Sequence, residues 1–249
     1  MKIFIVSLDN ATQRRNRVKE VMNDLGIEFE FFDAINGFNG LPDRLLGCPD
    51  DTHRKIFRSR PLTPGEKGCY ASHYLLWEKC IELNEPIMVL EDDFLPTQYF
   101  MSVFTRLSCL HDKYEYLRLE PQIGDATSLE FLDGLQILFW HNNVRSTTGY
   151  SINPSGAMRL VNHSKKWLCS VDNFIGESYR TGLKATGILP YAIYSPDDME
   201  SCIQNKVILE KVPLHFKLTR EAYRFYRFVR MQMWNLKAKV QGGQHEQVK

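Results

Sequence analysis

The chain has 249 residues, of which 43% are hydrophobic and 24% charged, and a formal net charge of +1. That length accommodates one large domain or two small ones with a substantial core, in a composition ordinary for a soluble globular protein. The near-zero charge gives no whole-molecule signature of nucleic-acid binding, so no nucleic acid is expected as a partner, although the basic excess is gathered toward the end of the chain.

Cys48, Cys69, Cys80, Cys109, Cys169 and Cys202 form no C-x-x-C pair, a usage that fits free thiols in a reducing compartment. The apolar opening meets an acid at Asp9, too early for a signal-peptide core, and no run approaches the roughly 20 apolar residues that cross a bilayer. A cytoplasmic protein is expected.

Residues 2–8 predict a buried strand carrying Ile3, Phe4, Ile5, Val6 and Leu8. Asp9 to Thr12 caps a helix that runs to about Leu25 and stops at Gly26, with Val18, Val21, Met22 and Leu25 at helical spacing. Residues 28–33 read as a second strand. The opening is then a β-α-β unit whose first turn bears Asp9, Arg14 and Arg15. The carboxyl end of such a first strand is a natural nucleotide site, with arginine to pair with phosphate. Two solvated arginines on the outer helix face are the alternative.

Residues 36–60 form a long polar segment punctuated by Asn36-Gly37, Asn39-Gly40, Leu41-Pro42 and Cys48-Pro49. It is expected to be a flap over a cleft, with disorder as the alternative. Thr63, Pro64 and Glu66 then make a capping box for a helix reaching Leu83. Gly65 and Gly68 each cost about 1 kcal/mol relative to alanine inside a helix, which calls for a close-approaching backbone or ligand. If a ligand lies there, Ser72 and His73 face it one turn on; a satisfied structural histidine is the other reading.

The run Pro86-Ile-Met-Val-Leu-Glu-Asp-Asp93 is a strand without polar alternation, buried on both faces, that ends in three carboxylates. Period-2 geometry sends Glu91 and Asp93 to one face and Asp92 to the other. Adjacent acids need a cation, and Mg²⁺ or Mn²⁺ binds through one or two carboxylates plus phosphate oxygens. The alternative is an acidic turn running into solvent before Pro96.

Further on, a helix is expected over 97–110, a strand over 114–120 and a loop over 121–134. Residues 135–140 and 145–152 are expected to pair as an antiparallel hairpin. Asn153-Pro154 opens a helix, Asp172 sits in the first turn of another, residues 182–194 are strand-like, and 196–200 form an acidic loop. From Lys217 to Lys239, basic residues at 220, 224, 227 and 230 share a helical stripe among many aromatics. An interfacial helix attracted to anionic lipid fits this pattern; RNA binding, partner docking and a plain solvated helix compete with it. Two units follow: residues 1–216, and a basic helix with a flexible tail at 217–249.

Taken in order, Ile5-Val-Ser-Leu-Asp9 with Arg14-Arg15, Phe32-Asp-Ala-Ile-Asn-Gly37, Leu62-Thr-Pro-Gly-Glu-Lys-Gly-Cys69 with Ser72-His73, and Val89-Leu-Glu-Asp-Asp93 resemble glycosyltransferase family 25. Gly149-Tyr-Ser-Ile, Ser155-Gly-Ala157, Val171-Asp172 and Leu189-Pro190 extend the resemblance to about position 205. It implies an α/β, GT-A-like nucleotide-sugar fold with a mostly parallel central sheet flanked by helices. It also implies inverting transfer of galactose or glucose from a UDP-hexose to a saccharide acceptor of lipooligosaccharide or lipopolysaccharide; the basic tail, outside the matched region, is what suggests a lipid-linked oligosaccharide as that acceptor. Glu91, Asp92 and Asp93 stand where the family's D-x-D-type metal motif lies, with Glu in place of the first Asp. Ser7, Leu8 and Asp9 are then expected at uracil or ribose, Arg14 at the pyrophosphate and Ser72 beside the donor. Asp172 is the first candidate for general base, with His73 and Glu66 in reserve, and His215 is a further candidate metal ligand. The enzyme is expected to work peripherally at the inner face of the cytoplasmic membrane. A non-catalytic, membrane-associated scaffold or adhesion protein keeping the fold is the alternative. A nucleotidyltransferase would show a glycine-rich turn after the first strand, where this chain has Asp9-Asn-Ala-Thr-Gln.

Overall fold

The computed structural model describes residues 1–142, 146–196, 213–241 and 247–248. Its first strands are β1 (Lys2–Ser7), β2 (Glu30–Asp33), β3 (Ile87–Glu91) and β4 (Leu95–Pro96), followed by β5 (Tyr116–Arg118) and β6 (Ala126–Leu132). Then come β7 (Leu135–Trp140), β8 (Gly149–Ile152), β9 (Thr186–Leu189), β10 (Ile193–Tyr194) and β11 (Gln247–Val248). The helices are α1 (Thr12–Leu25), α2 (Asp51–Arg58), α3 (Pro64–Leu83), α4 (Phe100–Leu110), α5 (Pro154–His163), α6 (Val171–Gly176), α7 (Ser178–Thr181) and α8 (Leu214–Gln241).

Among the described residues, nine strands join in the order β11-β6-β7-β9-β5-β8-β3-β1-β2, and β4 pairs separately with β10. The α/β architecture is as expected, but the sheet is mixed. β1 runs parallel to β2 and β3, and β5 parallel to β9, while the remaining neighbours are antiparallel. The hairpin expected between residues 135–140 and 145–152 does not form. β7 turns back on β6 through Asp133-Gly134, both at positive φ (47° and 82°), as a tight two-residue hairpin turn requires. β8 instead inserts antiparallel between β3 and β5. The strand-like 182–194 stretch divides into β9 and β10, and residues 197–200 of the expected acidic loop lie outside the described residues.

Alternation along β1 and β3 divides the core. Phe4, Val6, Ile87 and Val89 pack with Tyr70, Trp77 and Trp167 on the α3 side. Ile3, Ile5, Met88 and Leu90 pack with Val18, Met22, Phe100 and Leu107 on the α1 and α4 side. Burial on both faces is the reason these strands carry unbroken apolar runs.

The 36–60 segment is ordered. It holds short 3-10 turns at Gly37–Asn39 and Asp43–Leu45, then α2, whose cap is Asp50 accepting from the His53 amide at 2.9 Å. Helix α3 begins on the expected capping box, with Thr63 Oγ1 accepting from the Glu66 amide at 3.1 Å and Glu66 Oε2 from the Thr63 amide at 2.8 Å. The reason for Gly68 is a backbone: a Cβ there would stand 2.3 Å from the Ile35 carbonyl oxygen and 2.6 Å from the Gly37 amide nitrogen. Gly37 is confined from the other side, its Cβ position lying 1.8 Å from the Pro64 carbonyl oxygen.

Helix α8, expected from 217 as a separate unit, begins at Leu214 and packs on α2 and α7. Arg227 meets the buried Glu177 at 2.7 Å, alongside Arg58 at 2.5 Å and Arg180 at 2.7 Å. Burial would raise the Glu177 carboxyl, but the three guanidinium groups outweigh it and hold the group below its ordinary range. The Asn235 amide donates to the His141 carbonyl at 2.8 Å, and Tyr223 packs edge-on to His53.

Helix propensity favours alanine over glycine at an interior position, but the backbone contact at Gly68 opposes it. Gly68→Ala is expected to lose about 1–3 kcal/mol of stability in urea melts, the usual cost of overpacking. A variant as stable as the parent would show that the 35–37 backbone does not press on α3.

Candidate functional site

Strands β1 and β3 end side by side, Val6 opposite Glu91, and two joined cavities open beyond their carboxyl ends. The smaller, about 280 Å³, is walled by Ser7, Leu8, Arg14, Gly37, Phe38 and Ser72 with the three carboxylates. The larger, about 550 Å³, is walled by Glu66, Glu120, Thr147, Asp172, Tyr194 and Ser195. Cys69, Glu91 and Asp93 line both.

The strand pleat sends Glu91 to α3 and Asp92 to α1. Asp92 is buried, its Oδ1 accepting from Arg14 at 2.9 Å, its Oδ2 from the Ser7 hydroxyl at 2.7 Å and its carbonyl from Arg17 at 2.5 Å. Both carboxylate oxygens are engaged, so Asp92 braces α1 against the end of β3. Glu91 Oε1 accepts from Thr147 at 2.5 Å and lies 3.3 Å from His73 Nε2. Burial alone would raise the Glu91 carboxyl; His73, Thr147 and Arg14 together outweigh it and lower the group. Asp93 Oδ2 accepts from Ser195 at 3.1 Å, while its buried Oδ1 has no partner among the described residues. Burial first, then the charge of Glu91, raise Asp93 against the pull of Ser195. A partnerless carboxylate oxygen beside a second acid fits a divalent cation, which would supply the missing counter-charge.

An ionised Glu91 only accepts, which fixes the protons behind it. Trp77 Nε1 donates to Tyr150 Oη at 2.9 Å, Tyr150 donates to His73 Nδ1 at 3.0 Å, and His73 Nε2 carries the hydrogen that faces Glu91. His73 is thus a buried link of α3 to β3, at 0% exposure.

The other expected residues fall as follows. Ser72 Oγ accepts from the Ile35 amide at 2.8 Å and donates to the Gly68 carbonyl at 2.9 Å, tying the cavity wall to α3. Glu66 is gripped by Arg60 at 2.6 and 2.8 Å. Burial opposes ionisation of Glu66, but Arg60 and the Thr63 amide lower it overall, so its oxygens are occupied. Asp172 lines the larger cavity from the first turn of α6, with one oxygen accepting from the Asn173 side chain at 3.2 Å. Asp9 is exposed, accepts from the Asn10 amide at 2.8 Å, and lines neither cavity; His215, exposed in the first turn of α8, lines neither.

Glu120 was not singled out by the sequence. It is buried just past β5, 3.1 Å from Arg118, and reaches the larger cavity. Burial pushes its carboxyl up to about 7, against Arg118 and the Ser146 and Thr148 hydroxyls and helped by the charge of Glu91. The signal was available, since the Tyr114–Glu120 run ends on an acid as Pro86–Asp93 does. Cys69 is a neutral thiol, raised by burial and by Glu91 and Asp172.

Residues 1–175 match the family model described as glycosyltransferase family 25 (LPS biosynthesis protein). A glycosyltransferase 25 family member of Aedes aegypti is 36% identical over 107 residues, 39% of this chain and 17% of that protein. The lipooligosaccharide biosynthesis protein lic2B of Haemophilus influenzae is 38% identical over 94 residues, 37% of this chain and 33% of its own length. Procollagen galactosyltransferase 1-A of Xenopus laevis is 32% identical over 176 residues, 65% of this chain and 28% of its own length. The chain thus spans between 17% and 33% of the length of these relatives.

A carboxyl raised on folding favours the folded state at low pH, and that advantage is lost as pH rises toward the folded value. Relative to Glu120→Gln, the wild type is therefore expected to lose stability between about pH 4.5 and pH 7, by of order 3 kcal/mol. Urea melts at successive pH values measure this, and a pH-independent difference would refute it.

Proposed function

The chain belongs to glycosyltransferase family 25, and from that premise we propose that it moves galactose or glucose, with inversion, from a UDP-hexose to a saccharide of lipooligosaccharide or lipopolysaccharide. The observation that carries the reading is the pair of joined cavities sharing Glu91 and Asp93 at the carboxyl ends of parallel strands. Crevices at that end of an α/β sheet are where nucleotides bind. Two relatives, one a lipooligosaccharide biosynthesis protein and one a galactosyltransferase, support the acceptor class and the hexose.

On this reading the smaller cavity takes the nucleotide. Ser7 and Leu8 stand at the nucleoside, and Phe38, 54% exposed at the rim, offers a ring for uracil. Arg14, poised by Asp92, faces the diphosphate. Glu91 and Asp93 would hold a Mn²⁺ or Mg²⁺ ion, which would supply Lewis-acid stabilisation of the leaving diphosphate. The larger cavity, rich in hydroxyls and acids and edged by Tyr194, takes the hexose and the acceptor. Asp172 receives the proton of the attacking hydroxyl as the bond to the anomeric carbon forms.

Helix α8 supplies the reason for a lipid-linked acceptor. Its face away from the body exposes Leu218 (68%), Phe225 (68%), Phe228 (58%) and Leu236 (67%), among Lys217, Arg220, Arg224 and Lys237. No helix among the described residues is long and apolar enough to cross a membrane. An apolar stripe edged by cations suits the surface of an anionic bilayer, which would hold the enzyme at the cytoplasmic face.

With UDP-galactose or UDP-glucose, Mn²⁺ and a lipooligosaccharide acceptor, the wild type is expected to release UDP. Asp172→Asn should lower kcat by about 10²–10⁴, the usual worth of a general base, while UDP affinity is retained. Wild-type turnover by that variant removes Asp172 from the role, and failure of the wild type with both donors overturns the transferase reading. Sedimentation with vesicles should show binding to phosphatidylglycerol-containing membranes, none to pure phosphatidylcholine, and loss of binding in Phe225→Glu/Phe228→Glu. Equal recovery of both proteins with anionic vesicles would dismiss the docking helix.

A further inference from the structure

Cys69 and His73 stand four residues apart on α3, one helical turn, so both side chains leave the same face. That face meets the carboxyl end of β3. A sulfur of Cys69, a ring nitrogen of His73 and a carboxylate oxygen of Glu91 all lie within 4.8 Å of one another.

The separations carry more than proximity. His73 Nε2 stands 3.3 Å from Glu91 Oε1, where a charge-assisted hydrogen bond is ordinarily about 2.7–2.9 Å. Nitrogen and oxygen ligands at about 2.0–2.1 Å from a tetrahedral zinc ion stand about 3.3 Å apart, and a thiolate sulfur about 3.6 Å from the nitrogen. Closing the set from separations of no more than 4.8 Å therefore asks for side-chain movement of order 1 Å. The outer contacts are already in place. Tyr150 Oη fixes the ring of His73 from Nδ1 at 3.0 Å, and Thr147 fixes Glu91 at 2.5 Å. Such partners orient ligands and tune their basicity.

We propose that Cys69, His73 and Glu91 form a three-ligand site for a thiophilic divalent cation, zinc or its spectroscopic substitute cobalt, whose fourth position opens on the two cavities. The donor set differs from the oxygen pair of Glu91 and Asp93, since sulfur and imidazole select softer ions than Mg²⁺ or Mn²⁺. Coordination releases the Cys69 thiol proton to solvent. The imidazole hydrogen passes from Nε2 to Nδ1, which donates it to Tyr150 Oη while the Tyr150 hydroxyl hydrogen turns away from the ring, so His73 stays neutral. Glu91 belongs to both donor sets, and the softer ion therefore competes with the harder one. The site follows from these side chains alone and stands whether or not the protein is a transferase.

The test is titration of cobalt(II) into the full-length, tag-free, reduced protein. The expected result is a thiolate-to-cobalt charge-transfer band saturating at one equivalent. Cys69→Ser and Cys69→Ala should each abolish the band and weaken zinc binding more than about tenfold, measured against a chromophoric chelator. Circular dichroism of both variants establishes that they fold. Cys109→Ser, at an exposed thiol elsewhere, should leave band and affinity unchanged. A wild type without the band, or a band that survives in folded Cys69→Ser, overturns the proposal.

Discussion

Glu91 and Asp92 are adjacent carboxylates at the end of a buried strand, and the fold tolerates them because the pleat gives each its own face and its own donors. Asp92 is neutralised by Arg14 and held by Ser7, which fixes α1 to the edge of the crevice. Glu91 is held by Thr147 and by the line of donors running from Trp77 through Tyr150 and His73. One acid is thereby spent on the scaffold, and the other keeps an oxygen for a ligand. Without this division two like charges at that spacing would force one to stay protonated. Asp93, which pairs with no cation among the described residues, is the group whose ionisation suffers.

Much of this was legible in the chain. The capping box of α3, the double-sided burial of β1 and β3, and the opposite facing of Glu91 and Asp92 all follow from local rules of spacing. Asp172 opens a helix, as its neighbours in the chain indicate, and the fold sets it on the larger cavity. The failures came where long-range pairing overrides local pattern. Residues 135–140 and 145–152 look like hairpin partners, but the true turn is Asp133-Gly134, hidden in a stretch read as loop. That misreading concealed β6 and so obscured the mixed sheet. Helix α2 was missed inside a polar segment, although Asp50 and Asp51 at its start with Lys55 and Arg58 at its end match the helix dipole. Glu120 was legible only as an acid at a strand's end beside Arg118; its burial and its neighbours Glu91, Ser146 and Thr148 come from the fold.

Three arginines around Glu177 show why α8 is more than a tail. One carboxylate at 1% exposure shares Arg58 from α2, Arg180 from α7 and Arg227 from α8. Removing such a carboxylate leaves three half-buried cations uncompensated, which is worse than never having had the pair. The same contact sets how α8 is rolled about its axis, and with it which residues are left looking outward. The exposed apolar stripe and the buried ion cluster are opposite sides of one helix, so they cannot be tuned independently.

The mutual approach of Gly37 and Gly68 has a genetic side. Each is squeezed by main chain rather than by a pliable side chain, so enlarging one does not make room for enlarging the other. No second-site change of a nearby side chain restores the lost gap. The two positions therefore behave as a single locus, and a larger side chain along this wall of the smaller cavity costs less at their neighbours than at either glycine.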